Sequence, residues 1–141
     1  MQIKHSGRRM VGFWLYWFPV LSYMLLIFWA SSCSSFSLPT PSIPHFDKLA
    51  HALEFAVLGY LLFRAVIHTQ SLWLQKHALF IAVVVAIIFG LSDEIHQLFV
   101  PLRRSDIFDL AFDAFGAMMG GIAALWIEIR ILARKKRETR I

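Results

Sequence analysis

Eight ionisable residues and one glutamine are concentrated in one stretch of the chain, residues 92–113. They are Asp93, Glu94, His96, Gln97, Arg103, Arg104, Asp106, Asp109 and Asp113. Uncharged apolar runs flank the stretch on both sides, at residues 78–91 and 114–127. Ionisable groups in or beside hydrocarbon are costly and usually serve binding or proton transfer. We therefore expect the function of the protein to depend on this stretch.

Composition indicates that a membrane surrounds these groups. The chain has 141 residues, 58% of them hydrophobic, and a mean hydropathy of +0.62. Soluble domains average about 45–50% apolar residues, and a domain this small could not bury the excess. The length suits four membrane helices of about 20 residues each. The predicted fold is an all-α membrane protein, a bundle of four transmembrane helices.

The apolar runs and the proline-rich stretches place the four helices. We predict helices at residues 11–30, 47–68, 78–100 and 106–132, with a loop at 31–44 and a short turn at 69–77. Pro39, Pro41 and Pro44 exclude a helix in the loop. The predicted organisation is a basic N-terminus at residues 1–10, a four-helix domain at 11–132 and a basic tail at 133–141.

The distribution of lysine and arginine predicts the orientation. Of the 14 basic residues, only Lys48, Arg103 and Arg104 lie in or beside the first and third connections, which leaves 14 − 3 = 11 at the termini or around the second. Positive flanks stay on the cytoplasmic side, so both termini should be cytoplasmic, in a bacterial inner membrane. This placement also argues against nucleic acid as a partner, despite the pI near 9.8. The polar ends of helices two, three and four should then be neighbours at the extracytoplasmic end.

The fourth predicted helix carries an acidic stripe that continues into glycines. Asp106, Asp109 and Asp113 share a face at i, i+3 and i+7, and Gly116 and Gly120 extend that face. A Gly-x-x-x-Gly pair lets another helix approach closely, within the bundle or in a homodimer. Packing does not explain the aspartates, because a carboxylate at the depth of Asp113 needs a partner.

Arg103 and Arg104 are natural partners for these acids, and two interpretations stay open. The arginines could complete an internal ion-pair network that holds the helices together. Alternatively, an arginine could face a cleft and bind an anionic lipid headgroup, since its planar guanidinium matches phosphate geometry.

Metal binding and acid–base chemistry are further alternatives. The pairs His51-x-x-Glu54 and Asp93-x-x-His96 resemble the spacing from which helix bundles build metal sites. The HExxH zinc signature is absent from the sequence, and we predict no metal and no cofactor. Asp93 and Glu94 beside Asp109 are candidates for a general acid or proton carrier.

These residues resemble the VanZ-like family over about residues 10–130. The resemblance rests on three groups: Asp47-Lys48-Leu49-Ala50-His51 with Glu54-Phe55 and Gly59; Ser92-Asp93-Glu94-Ile95-His96-Gln97-Leu98-Phe99-Val100-Pro101; and Arg104, Asp109, Asp113 and Gly116. It implies a small multispanning bacterial membrane protein, of a family that includes one member associated with low-level teicoplanin resistance. His96 and Glu54 lie outside the family pattern, and Asp113 stands where asparagine is frequent, which disfavours the metal set.

The resulting prediction is an extracytoplasmic polar cleft that binds an anionic envelope lipid or a lipid-linked cell-wall precursor. The candidate catalytic residues are Asp93, Glu94 and Asp109. The candidate ligand-binding residues are Asp47, Lys48, His51, Gln97, Arg103, Arg104 and Asp113. The alternatives are a membrane enzyme that acts on a lipid-linked substrate by carboxylate acid–base chemistry, a small transporter or lipid-flipping protein, and a purely structural network.

Overall fold

The structure is a computed structural model that describes residues 3–33, 46–101 and 106–139, with side chains described from residue 12 and, in the second segment, from residue 48. It confirms the all-α fold. The elements are α1 (Ile3–Ser32), α2 (Phe46–Ile67), α3 (Leu72–Lys76), α4 (Ala78–Gln97) and α5 (Ile107–Glu138). Four of them, all but α3, contain segments long and apolar enough to cross a membrane.

The helix boundaries differ from the prediction in three places. The connection at residues 69–77 contains the short helix α3, whose first turn is capped by the Ser71 side chain. Helix α4 ends at Gln97, three residues before the predicted end at Val100. Helices α1 and α5 include much of the basic flanks that were assigned to the termini. The basic flanks contain no proline, so the helices can continue through them.

Contacts between helices fix their relative directions. The Tyr16 ring stacks on His68, just after the end of α2, and the Tyr23 hydroxyl donates to the Glu54 carbonyl earlier in α2. Helix α1 therefore runs antiparallel to α2. The end of α1 meets the end of α4, where Ser31 contacts Asp93. The start of α1 and the far part of α5 thus lie at the same end of the bundle, and their assignment to the cytoplasmic side stays a prediction.

Helix α2 is central and contacts α1, α4 and α5. It supplies the bulky buried side chains Phe55, Leu58 and Leu62. Helix α4, which faces it, supplies small residues instead. The buried stripe of α4 is Ala78, Ala82, Ala86 and Gly90, and it continues into Asp93, Glu94 and Gln97. One helix face thus carries both packing residues and the acids. Large apolar side chains cover the outside of the bundle, as hydrocarbon requires.

The glycine stripe of α5 lies against α2. A side chain at Gly116 would meet the Ala52 backbone carbonyl, and one at Gly120 would meet that of Ala56. Gly59 of α2 is equally close to the backbone of Ala117. Contact between the two backbones is possible because no Cβ atoms separate them. This face is therefore occupied within the chain, and a homodimer through it, which stays a prediction, would have to displace α2.

Candidate functional site

Ionisable side chains from α2, α4 and α5 meet at one end of the bundle, as the topology predicted. We call this group, together with Ser31 of α1, the polar end. Its members are Ser31, Lys48, His51, Asp93, Glu94, Gln97, Asp106, Asp109 and Asp113. Each side chain lies in the first or last two turns of its helix, so the apolar middle of each helix remains free to cross hydrocarbon.

Lys48 joins α2 to the start of α5. Its ammonium nitrogen lies 2.8 Å from Asp106 Oδ2 and 2.9 Å from Asp109 Oδ1. Asp106 is the N-cap of α5 and accepts from the Phe108 backbone N–H at 2.9 Å. The Lys48 ammonium and the Phe108 N–H hold the pKa of the Asp106 carboxyl, which lies outside the membrane-spanning segments, below its ordinary value. Lysine and the helix cap together fix where α5 begins.

His51, one turn further into α2, is oriented by a buried acid. Its Nδ1 lies 3.0 Å from Asp113 Oδ1, and Asp113 is only 1% exposed. A carboxylate this deeply buried requires a hydrogen-bond donor, so the Nδ1–H tautomer of His51 fits the contact. The other ring nitrogen, Nε2, then faces Asp109 Oδ2 at 3.9 Å, which is too long for a hydrogen bond.

Glu94 of α4 completes this part of the polar end. Its Oε2 accepts from the backbone N–H of Asp106 at 3.1 Å. His51, Glu94 and Asp109 each offer a ligand atom within 4.8 Å of the others, and they are the one such group of metal-ligating residues in the described ranges. An imidazole and two carboxylates from three different helices therefore surround one small volume.

Asp93 belongs to a separate cluster on the side of α1. Its Oδ2 accepts from Ser31 Oγ at 2.7 Å and from Gln97 Nε2 at 2.8 Å. The carboxylate is 4% exposed, and within the described residues its Oδ1 has no hydrogen-bond partner. Buried polar atoms normally have one. Asp93 and Glu94 are consecutive, and a helix separates consecutive side chains by about 100°, so they face different neighbours.

His96 also faces α1. Its Nε2 lies 2.9 Å from Ser32 Oγ, and its ring stacks on Phe28 with centroids 4.1 Å apart. The alternative metal set His51, Glu54, Asp93 and His96 is therefore not assembled in the described structure. His51 lies with Asp109 and Asp113, whereas Asp93 and His96 contact the end of α1.

A scan against protein-family models matches the VanZ/LLP1 family over residues 10–128. The chain belongs to the VanZ/LLP1 family. A search of curated proteins and a search of solved structures find no significant match.

The VanZ-like positions predicted as site residues form two groups in the described structure. Lys48, His51, Glu94, Asp109 and Asp113 come together around one volume, joined by direct contacts or by shared neighbours. Asp93 and Gln97 form the second cluster beside Ser31. Arg103 and Arg104 lie outside the described residues, and so does the side chain of Asp47.

Two contributors to this VanZ-like site were absent from the predicted site residues. Asp106 was recognised only as part of the acidic stripe, yet it caps α5 and binds Lys48. Its position immediately before an apolar helix is a typical N-cap signal. The sequence predicts a loop at Ser31, whereas the structure places Ser31 in the last turn of α1, where it contacts Asp93. Nothing in the local sequence indicates that contact, because the two residues are 62 positions apart.

The chemistry available to this VanZ-like site is that of buried acids around an oriented imidazole. Among the described residues, the polar end carries five carboxylates and one ammonium, that of Lys48. Two of the carboxylates already contact that ammonium. Such an arrangement can move protons between His51 and a carboxylate, or it can bind a cation. Binding of an anion would require positive charge from residues other than Lys48.

Proposed function

We propose that this VanZ-family protein is a bacterial inner-membrane protein whose polar end binds the headgroup of an anionic envelope lipid or of a lipid-linked cell-wall precursor. The observation that carries the proposal is that the buried acids among the described residues all lie at one end of an apolar bundle. A ligand with a polar head and a hydrocarbon tail would match both regions at once. A contribution to glycopeptide resistance, as the resemblance implies, would follow from altered handling of such a precursor.

The charges of the polar end assign different roles to its members in this proposal. Lys48 is balanced by Asp106 and Asp109, so Arg104 and Arg103 are the residues proposed to meet the phosphate. Bidentate contacts make arginine well suited to that group. Asp109 and Glu94 would accept hydrogen bonds from hydroxyl or amide groups of the headgroup. His51, oriented by Asp113, would fix the direction in which the headgroup lies.

Native mass spectrometry of the full chain in mild detergent tests this proposal. The wild-type protein should retain a discrete mass of lipid size, and Arg104→Ala should lose it while keeping the helical circular-dichroism signal. Arg130→Ala is the matched control, because Arg130 lies far along α5 over the Trp126 ring. Equal retention in Arg104→Ala and the wild type would refute the assignment of the anion site.

An enzyme is the second candidate, and the His51–Asp113 contact is the observation that favours it. An imidazole oriented through Nδ1 by a carboxylate presents Nε2 as a general base. Glu94 or Asp109 would then act as the acid on a lipid-linked substrate. Turnover of extracted envelope lipid by the wild type, abolished in Glu94→Gln with lipid binding retained, would support this candidate. Binding without any turnover would exclude it.

A further inference from the structure

We infer that His51, Glu94 and Asp109 form a binding site for a divalent metal ion of the Zn²⁺ or Mn²⁺ type. This inference rests on the proposed function and deepens it, because the metal would supply positive charge for an anionic headgroup. The three ligand atoms lie within 4.8 Å of one another. Bonds from a metal to imidazole nitrogen or carboxylate oxygen measure about 2.0–2.2 Å, so a small inward movement of the side chains would complete the coordination.

The orientation of each ligand is the first argument. Metal-bound histidines usually donate their other ring N–H to a carboxylate, and bound carboxylates are themselves hydrogen-bonded. Here His51 Nδ1 is held by Asp113, at 3.0 Å. Asp109 Oδ1 is held by Lys48 at 2.9 Å, and Glu94 Oε2 by the Asp106 backbone N–H at 3.1 Å. Every ligand is therefore positioned by a group outside the triad.

The gap between His51 and Asp109 is the second argument. Their facing atoms, Nε2 and Oδ2, are 3.9 Å apart. This distance is too long for a hydrogen bond but is close to the separation of two ligands that share one metal ion. Lys48 binds the other oxygen of Asp109, Oδ1, and Asp113 binds the other ring nitrogen of His51, Nδ1. These two contacts keep His51 and Asp109 at this separation.

The balance of charge is the third argument. Asp93, Glu94, Asp106, Asp109 and Asp113 contribute five negative charges, and Lys48 contributes one positive charge. Four of these carboxylates, all but that of Asp106, are buried, so an excess of negative charge remains among the described residues of the polar end. Buried charge of one sign is costly unless it is compensated. A divalent cation would reduce the excess.

The ligand set indicates which metals would bind. Carboxylates alone suit Mg²⁺ and Ca²⁺, whereas an imidazole favours Zn²⁺ and other transition metals. We therefore expect the site to bind Zn²⁺ more tightly than Mg²⁺. Three protein ligands leave at least one coordination position for water or for a ligand oxygen, as in metal sites that act on substrates.

Zn²⁺ affinity of the full chain, purified in mild detergent, stripped of metal and delipidated, tests the inference. His51→Ala, Glu94→Gln and Asp109→Asn should each weaken Zn²⁺ binding at least about 100-fold, and Asp113→Asn by about 10–100-fold, the usual effect of losing an outer-shell partner. His96→Ala is the matched control, because His96 lies at the same end but faces α1. Its affinity should equal that of the wild type.

Three outcomes would overturn the inference. They are equal Zn²⁺ affinity in all variants, an equal loss in His96→Ala and His51→Ala, and Mg²⁺ affinity equal to that for Zn²⁺. If His51→Ala loses the helical circular-dichroism signal, Asp113→Asn decides, since it keeps both His51 and the shape of the site. Because the protein is delipidated, the two proposals fail separately. If the wild type retains lipid but does not bind Zn²⁺, only the proposed metal site is refuted. If it binds Zn²⁺ but retains no lipid, only the proposed headgroup site is refuted.

Discussion

The two ends of the bundle handle charge in different ways. At the polar end, acids from α4 and α5 are buried and held by hydrogen bonds, and Asp113 is 1% exposed. At the opposite end, which we call the His68 end, Tyr16, Arg64, His68 and Glu128 contact one another by ring stacking and by a longer ion pair of 3.7 Å. The His68 end also borders a cleft of about 250 Å³ beside Gly12 and Trp17.

Because its acids are buried, the polar end carries a cost in folding free energy that the His68 end does not. Partly exposed groups at the His68 end can be solvated, so their contacts can change at little expense. Four acids of the polar end have lost most of their water, so each depends on a specific partner; they are Asp93, Glu94, Asp109 and Asp113. Replacing such a cluster by well-packed apolar residues is often neutral or stabilising, so stability alone does not explain it. We therefore expect the function of the protein to depend on the polar end.

The largest expected effect comes from removing one cation at each end. Lys48→Met leaves the buried Asp109 without its ammonium and should destabilise the fold by about 3 kcal/mol. Arg64→Met removes a cation that lies over the Tyr16 and Tyr60 rings and should cost about 0.5–1 kcal/mol. Unfolding by sodium dodecyl sulfate in mild detergent measures both. Equal losses would remove the distinction between the ends.

A smaller effect should follow from adding one methyl group to a glycine. Gly120→Ala places a Cβ against the Ala56 carbonyl and should cost about 1–3 kcal/mol by forcing α2 and α5 apart. Gly12→Ala, at the His68 end, meets nothing within 4 Å. It should be neutral or stabilising by up to about 1 kcal/mol, because alanine favours a helix. The same unfolding assay checks the pair, and a neutral Gly120→Ala would show that the helices can separate freely.

The smallest effect distinguishes two neighbouring serines within the polar end. Ser31→Ala removes a buried hydrogen bond to the Asp93 carboxylate and should cost about 1–2 kcal/mol. The exposed Ser32 hydroxyl donates to the Phe28 carbonyl of its own helix and also contacts His96 Nε2. Water can replace both exposed contacts, so Ser32→Ala should change stability by less than about 0.5 kcal/mol. Equal effects would mean that Asp93 does not depend on α1.

Much of the fold follows from the pattern of the sequence. Uncharged runs of about 20 residues predict which helices cross the membrane. Because successive crossings alternate in direction, the polar ends of α2, α4 and α5 lie on the same side and meet. The periodicity of α5 also places Asp109 and Asp113 on the face that carries Gly116 and Gly120, as found. These inferences succeed because a membrane permits few architectures.

The pairing of side chains could not be predicted in the same way. Sequence reasoning grouped Asp93 with Glu94 as catalytic residues, but the two face α1 and α5 respectively. The contacts Ser31–Asp93 and His51–Asp113 each join residues 62 positions apart. Such contacts depend on how each helix is rotated about its axis, and that rotation is set by packing, such as that of Phe55 against Gly90 of α4. Lipid binding at the polar end stays a prediction.

The parallel arrangement of α2 and α5 has a consequence for how the protein is made. These two helices are in closest contact, yet α4 is synthesised between them and runs in the opposite direction. During synthesis, Lys48 and His51 therefore reach the bilayer well before Asp109 and Asp113 emerge from the ribosome. Until the last helix inserts, these basic groups need water or another protein at the membrane surface. The contacts of Lys48 and His51 with the acids of α5 can therefore form only after α5 has been synthesised.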